Sequence, residues 1–221
     1  IWLTLPCVAH GGARNESQWW GDLGATVDYC RQAVRDVCEE LGGDPGAVIL
    51  AGAGRGAVAC SYIGLHDEDI ADTWLAFLAV GEFDGLCGGD WPGADIDAAH
   101  QRLQRVRERA FMVCQEGDVP ARTFVEMSGV NTASFTFQAV EGVTPVEAWA
   151  TVDTPARQAM RGWLRGVLAE RPGVFTVSGR VLTPQNRPLA NVRVACGYTH
   201  VTRTDRNGVF TEIAEGEYTY Q

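Results

Sequence analysis

Apolar positions recur along the first two thirds of the chain in two alternating rhythms. Residues 1–9 (IWLTLPCVA) make a run of the buried-strand kind, ending at His10-Gly11-Gly12. After a polar stretch carrying Trp19 and Trp20, the residues Val27, Cys30, Val34, Val37 and Leu41 recur at steps of three and four. That spacing predicts one apolar helix face. Gly42-Gly43 stops the helix and Asp44-Pro45 turns the chain. Residues 47–51 (AVILA) have the composition of a buried parallel strand, and Gly52-Ala53-Gly54-Arg55-Gly56 turns it into a second helix running to Leu65.

The alternation continues. Residues 75–80 predict a strand, followed by a loop rich in acids and glycine. Ile96, Ala99, Leu103, Val106 and Ala110 return to the helical rhythm, and residues 111–114 predict the next strand. A short helix follows Pro120, and residues 134–140 predict one more strand. Asp153 or Thr154 caps a last helix, with Pro155 at its first position and Pro172-Gly173 at its end. Strands alternating with helices imply an α/β architecture: three layers around a mostly parallel sheet covered on both faces.

Beyond Gly173 the period falls to two. Phe175, Val177, Gly179 and Val181 alternate with polar residues, as do Val192, Val194 and Cys196. Turn clusters stand at residues 184–188 (PQNRP) and at Asp205-Arg206-Asn207-Gly208. Short strands at this spacing predict a small all-β sandwich. The expected domains are therefore 1–173 and 174–221, with strands of the first preceding Ile1 and the second cut short at Gln221.

Composition narrows the classes of partner. The formal net charge is -10, which disfavours nucleic acid. No apolar run approaches bilayer length, so no membrane partner is expected. All 18 basic residues are arginine, a bias with no chemical consequence here. The seven cysteines (Cys7, Cys30, Cys38, Cys60, Cys87, Cys114 and Cys196) are odd in number and contain no CxxC pair. They read as buried free thiols, and no histidine is spaced to complete a zinc set with them. No metal or cofactor is indicated.

The segment that carries chemistry is the strand ending in Gly52-Ala53-Gly54-Arg55-Gly56. A strand that enters a helix through Gly-x-x-x-Gly is the context of a nucleophile elbow, where a residue on a strained turn presents its side chain at the carboxyl edge of the sheet. AVILAGAGRGAVACSYIGL resembles the elbow of the α/β-hydrolase superfamily, in particular of bacterial esterases of the polyhydroxybutyrate-depolymerase-like kind. QWWGDLGATVDYC before the elbow, the FDGL loop after the next strand and the AW…D-x-PAR segment extend the resemblance over residues 1–173. The tail, VSGRVLTPQNRPLANVRVACG…TRTDRNGVF, resembles the carboxypeptidase regulatory-like, transthyretin-type sandwich. That tail implies a secreted or cell-envelope address.

The resemblance implies a Ser-His-Asp triad, and two of its members are missing. The family pattern Gly-x-Ser-Arg-Gly-Ala places Gly54 where the serine should stand, and glycine has no oxygen with which to form an acyl intermediate. The family histidine is expected in the loop at 141–148, which reads EGVTPVEA and contains none. An acid survives as Asp118 or Glu116 in CQEGDVP. An acid alone activates nothing, because its role is to orient the imidazole. Glycine also relieves the strain of the elbow conformation, on the order of 1–3 kcal/mol.

Other constellations are weaker. His10-Gly11-Gly12 resembles the HGG oxyanion motif of lipases, against which stands a plain strand-exit turn. Arg55 would supply the backbone N–H of an oxyanion hole. Ser61, Ser128 and Ser134 lack a neighbouring base signal. The acids around His66 read as complements of a helix dipole, and Asp205 with Asn207 as a turn in preference to a calcium site. In a parallel sheet all strand-exit loops share one edge. Trp19, Trp20, Glu82, Asp84, Trp91 and Asp118 are thus expected to converge around Gly54, with Trp149 either among them or in the core. Aromatic faces with carboxylates between them suit a small polar or carbohydrate ligand. The resulting expectation is a catalytically inactive hydrolase-type domain used in binding or assembly. The alternative is an active serine esterase of the same family whose nucleophile lies elsewhere.

Overall fold

Four apolar runs become four parallel strands, and their order in the sheet is their order in the chain. The computed structural model describes residues 3–9, 14–140, 152–169, 174–196 and 200–215. By internal contacts the chain divides into two units, Ile1–Met160 and Arg161–Gln221. The break falls inside the last helix, whereas the antiparallel strands of the tail begin at Val174.

In the first unit, β1 (Cys7–Val8) and β2 (Asn15–Glu16) form a short antiparallel pair. Helix α1 (Leu23–Leu41) follows. Its N-cap Asp22 accepts a hydrogen bond from the Ala25 amide at 3.0 Å, and it ends at Gly42, whose φ of 71° favours glycine. The sheet is then built by β3 (Ile49–Ala53), β4 (Ala76–Val80), β5 (Ala110–Gln115) and β6 (Phe135–Ala139). Helices α2 (Arg55–Tyr62), α3 (Glu68–Ala71), α4 (Ile96–Leu103) and α5 (Val119–Ser128) lie between them. Every residue of β4 is buried, as a strand covered on both faces must be. Phe77, Phe111 and Phe135, on neighbouring strands, stack in series with ring centroids 5.2 and 5.3 Å apart.

Two expectations are corrected. Residues 1–9 do not form a strand of the parallel sheet among the described residues. Only Cys7 and Val8 pair, antiparallel to Glu16 and Asn15, and Leu3 is half exposed. Pro6 in the middle of the run has no N–H to give a ladder. Second, Ala110 does not continue helix α4 but opens β5, because Arg107 takes a positive φ of 53° and reverses the chain.

Helix α6 (Pro155–Ala169) starts at Thr154, whose Oγ1 accepts from the Arg157 amide at 3.1 Å. The tail holds β7 (Val174–Arg180), β8 (Arg193–Cys196), β9 (His200–Arg203) and β10 (Val209–Glu215). They pair as two antiparallel ribbons, β7 with β10 and β8 with β9. Asp205 is spent on the turn before β10: Oδ1 accepts from the amides of Asn207 at 2.7 Å and Val209 at 2.9 Å. Those bonds, that to Val209 first, lower its pKa.

Candidate functional site

The site grows from the junction of β3 and α2. The strand ends at Ala53, and the Gly54 amide donates to the Val80 carbonyl of β4 at 2.8 Å. Gly54 then adopts φ 55° and ψ -126°, and Arg55 opens the helix. Turning so sharply drops the first turn of α2 onto the strand. A Cβ on Gly52 would stand 2.0 Å from the Gly56 carbonyl oxygen, so this approach requires glycine at 52. At Gly54 the reverse holds. A Cβ there would meet nothing within 4 Å, so the direction an elbow side chain would take is open. The turn thus leaves an open direction at Gly54 and no side-chain atom to fill it.

Around this turn Arg55 organises its neighbours. Its carbonyl accepts from Trp19 Nε1 at 3.1 Å. Its guanidinium lies 5.1 Å from the centroid of the Trp91 ring, donates to the Gly88 carbonyl at 3.4 Å and stands 3.5 Å from Glu82 Oε2. Trp19, Trp20 and Trp91 pack mutually, with centroids 4.7, 5.4 and 5.2 Å apart, and Tyr62 lies 4.7 Å from Trp19. The three tryptophans gather beside Arg55, the first residue of α2.

The faces of Trp19 and Trp91 are not turned to solvent, which corrects part of the expected ligand set. Trp19 and Trp91 retain 7% and 4% of their surface, because indoles this close remove more apolar area from water by packing together than by standing apart. Asp84 is also buried. Its carboxylate receives Arg102 Nε at 2.7 Å and Nη2 at 3.1 Å, a two-pronged pair closed to ligands. Burial pushes the Asp84 carboxyl up, and the Arg102 bonds pull it back. Trp20 and Glu82 keep accessible surface.

The candidate acids lie apart from this cluster in their bonding. Glu116 is exposed, and Asp118 pairs with Arg122 one turn along α5 at 3.0 Å. That hydrogen bond leads the causes holding the Asp118 carboxyl below its ordinary value. The loop expected to carry the histidine (141–148), Trp149 and the His10-Gly11-Gly12 turn lie outside the described residues. Among the described residues, Ser61, Ser128 and Ser134 have no hydrogen bond to a base. Ser128 and Ser134 donate to the carbonyls of Val125 and Arg107, and Ser61 is buried within α2. Burial pushes the thiols of Cys30, Cys60 and Cys114 up to about 12, far from the thiolate range.

Two participants escaped the sequence reading. Arg102 and Tyr62 sit on helices with nothing local to mark them, yet they hold the loop after β4. Arg102 also donates to the Gly93 carbonyl at 2.8 Å and stacks 4.5 Å from the centroid of Tyr62, whose hydroxyl donates to the Pro92 carbonyl. Comparison with known proteins adds no relative: no family model, no curated protein and no solved structure matches the chain.

Proposed function

We propose that the first domain is a hydrolase-type fold of the esterase kind that has lost covalent catalysis and works by binding a neutral, hydroxyl-rich ligand such as a carbohydrate. One observation carries the loss of catalysis: Gly54 stands at the turn between strand and helix, in the elbow conformation, with its Cβ direction open and no atom there to attack a carbonyl. The missing histidine in the 141–148 sequence is consistent with it, since no base would remain to activate a restored hydroxyl.

Binding is the use left to such a site. Arg55, Trp19 and Trp91 form its wall, and Trp20 and Glu82 are the expected members with surface to offer a ligand. An indole face stacks on an apolar sugar face while a carboxylate accepts from hydroxyls. The net charge of -10 disfavours anions. The tail ribbons fit a carboxypeptidase regulatory-like sandwich on a secreted or cell-envelope protein. The test has two arms. Short-chain acyl esters should show no turnover above background, and turnover would remove the inactive reading. Titration with a panel of oligosaccharides should shift tryptophan emission in the native chain and not in Trp20→Ala. If no sugar shifts the emission, the carbohydrate reading fails while the inactive reading stands.

A further inference from the structure

The loop after β4 is anchored firmly at two points and lightly between them. Its first foot is Phe83 and Asp84, both buried, with Asp84 on Arg102. Its second is Pro92 and Gly93, whose carbonyls accept from Tyr62 and Arg102. Between the feet, residues 86 and 88–90 are exposed, and Gly85 and Gly93 carry φ of 86° and 71°. Across the exposed stretch 88–90, among the described residues, the bond from Arg55 to the Gly88 carbonyl is the hydrogen bond that ties the strap to the elbow helix. The same guanidinium faces Trp91 and Glu82.

We propose that residues 85–90 form a strap latched to the elbow helix by the Arg55 side chain, which opens on its glycines and uncovers Trp91, on whose ring Gly89 lies, and Glu82. Those groups are unusual. Trp91 Nε1 and Glu82 Oε2 are both buried with no hydrogen-bond partner among the described residues. Closure leaves the Trp91 donor without an acceptor and Glu82 Oε2 with the Arg55 charge 3.5 Å away but no hydrogen bond, and opening lets each be hydrated or take a ligand hydroxyl. The aromatic and cation contacts of Trp91 favour closure; the unmade hydrogen bonds oppose it. Opposed terms of similar size are what a two-state element needs. The strap goes beyond the ligand reading above and does not depend on catalysis being lost.

Cys87 reports on the strap directly. It is half-buried within it, with Sγ 3.3 Å from the Phe83 carbonyl oxygen. The test is the rate at which iodoacetamide alkylates Cys87 in the full chain, read by peptide mass, in the native protein, Arg55→Lys and Arg55→Ala. Arg55→Ala should speed alkylation about tenfold, the effect of one cation–aromatic contact and one exposed hydrogen bond on the opening equilibrium, with Arg55→Lys between. Electrostatics alone gives the opposite sign: burial raises the Cys87 pKa, Arg55 acts to lower it, and removing Arg55 leaves less thiolate. Cys60 in α2 and Cys114 in β5 are buried and should stay unlabelled, which establishes that the fold is intact. Should Arg55→Ala expose them, Arg55→Lys decides. An unchanged or slower Cys87 rate in the variant whose buried cysteines remain protected overturns the latch.

Discussion

The sheet carries the same backbone conformation at both of its edges, filled by opposite kinds of residue. At the carboxyl edge, after β3, Gly54 has φ 55° and ψ -126°. At the amino edge, before β5, Arg107 has φ 53° and ψ -119°. The strands are parallel, so the two turns lie at opposite ends of one sheet. Arg107 is held by its surroundings. Its guanidinium pairs with Glu68 and, at 3.0 Å, with Asp72, and its carbonyl accepts from the Ser134 hydroxyl at 3.4 Å. A side chain in this region costs on the order of 1–3 kcal/mol. This fold therefore tolerates that cost where a side chain is employed. Glycine at 54 is not forced by the backbone alone; strain is absent where an elbow enzyme would need it and present where arginine links α3 to the turn before β5.

The comparison can be broken by substitution. The largest effect belongs to Gly52→Ala. Its methyl would overlap the Gly56 carbonyl at 2.0 Å, so α2 must lift from β3, and we expect a loss of about 3 kcal/mol or failure to fold. Denaturant midpoints at constant m measure it. A loss under about 1 kcal/mol would show that helix and strand are not closely packed.

Next comes Gly54→Ala. Space is open there, so only backbone strain acts, and stability should fall by about 1–2 kcal/mol. Arg107→Gly runs the same change backwards. It releases comparable strain and forfeits exposed ion pairs worth up to about 1 kcal/mol, leaving a net change near zero or slightly stabilising. Arg107→Ala keeps the strain and loses the pairs, and should be about 0.5 kcal/mol destabilising. If Arg107→Gly and Arg107→Ala melt alike, Arg107 carries no strain and the comparison fails.

Much of the parallel sheet was legible in sequence because its strands are continuous apolar runs and its helices repeat at three and four. The sharp turn from β3 into α2 was legible because close approach at Gly52 and a positive φ at Gly54 both leave glycine as a mark. Other features had no local mark. An apolar run interrupted by Pro6 looks like a strand until a ladder is required of it. Trp19 and Trp91 look like ligand platforms until their mutual distance is known. Asp84 looks available until Arg102, eighteen residues on, closes over it. Burial and pairing at this range are set by tertiary packing, which a single sequence does not display.

The function proposed above rests on reading the turn at Gly54 as a nucleophile elbow without its nucleophile. The direct measurement is the intact mass of the native chain and of Gly54→Ser after exposure to a fluorophosphonate serine-hydrolase probe. The expected result is no adduct on either protein, since the native turn has no hydroxyl and the variant has no base to activate one. A stoichiometric adduct on the native chain would contradict the account.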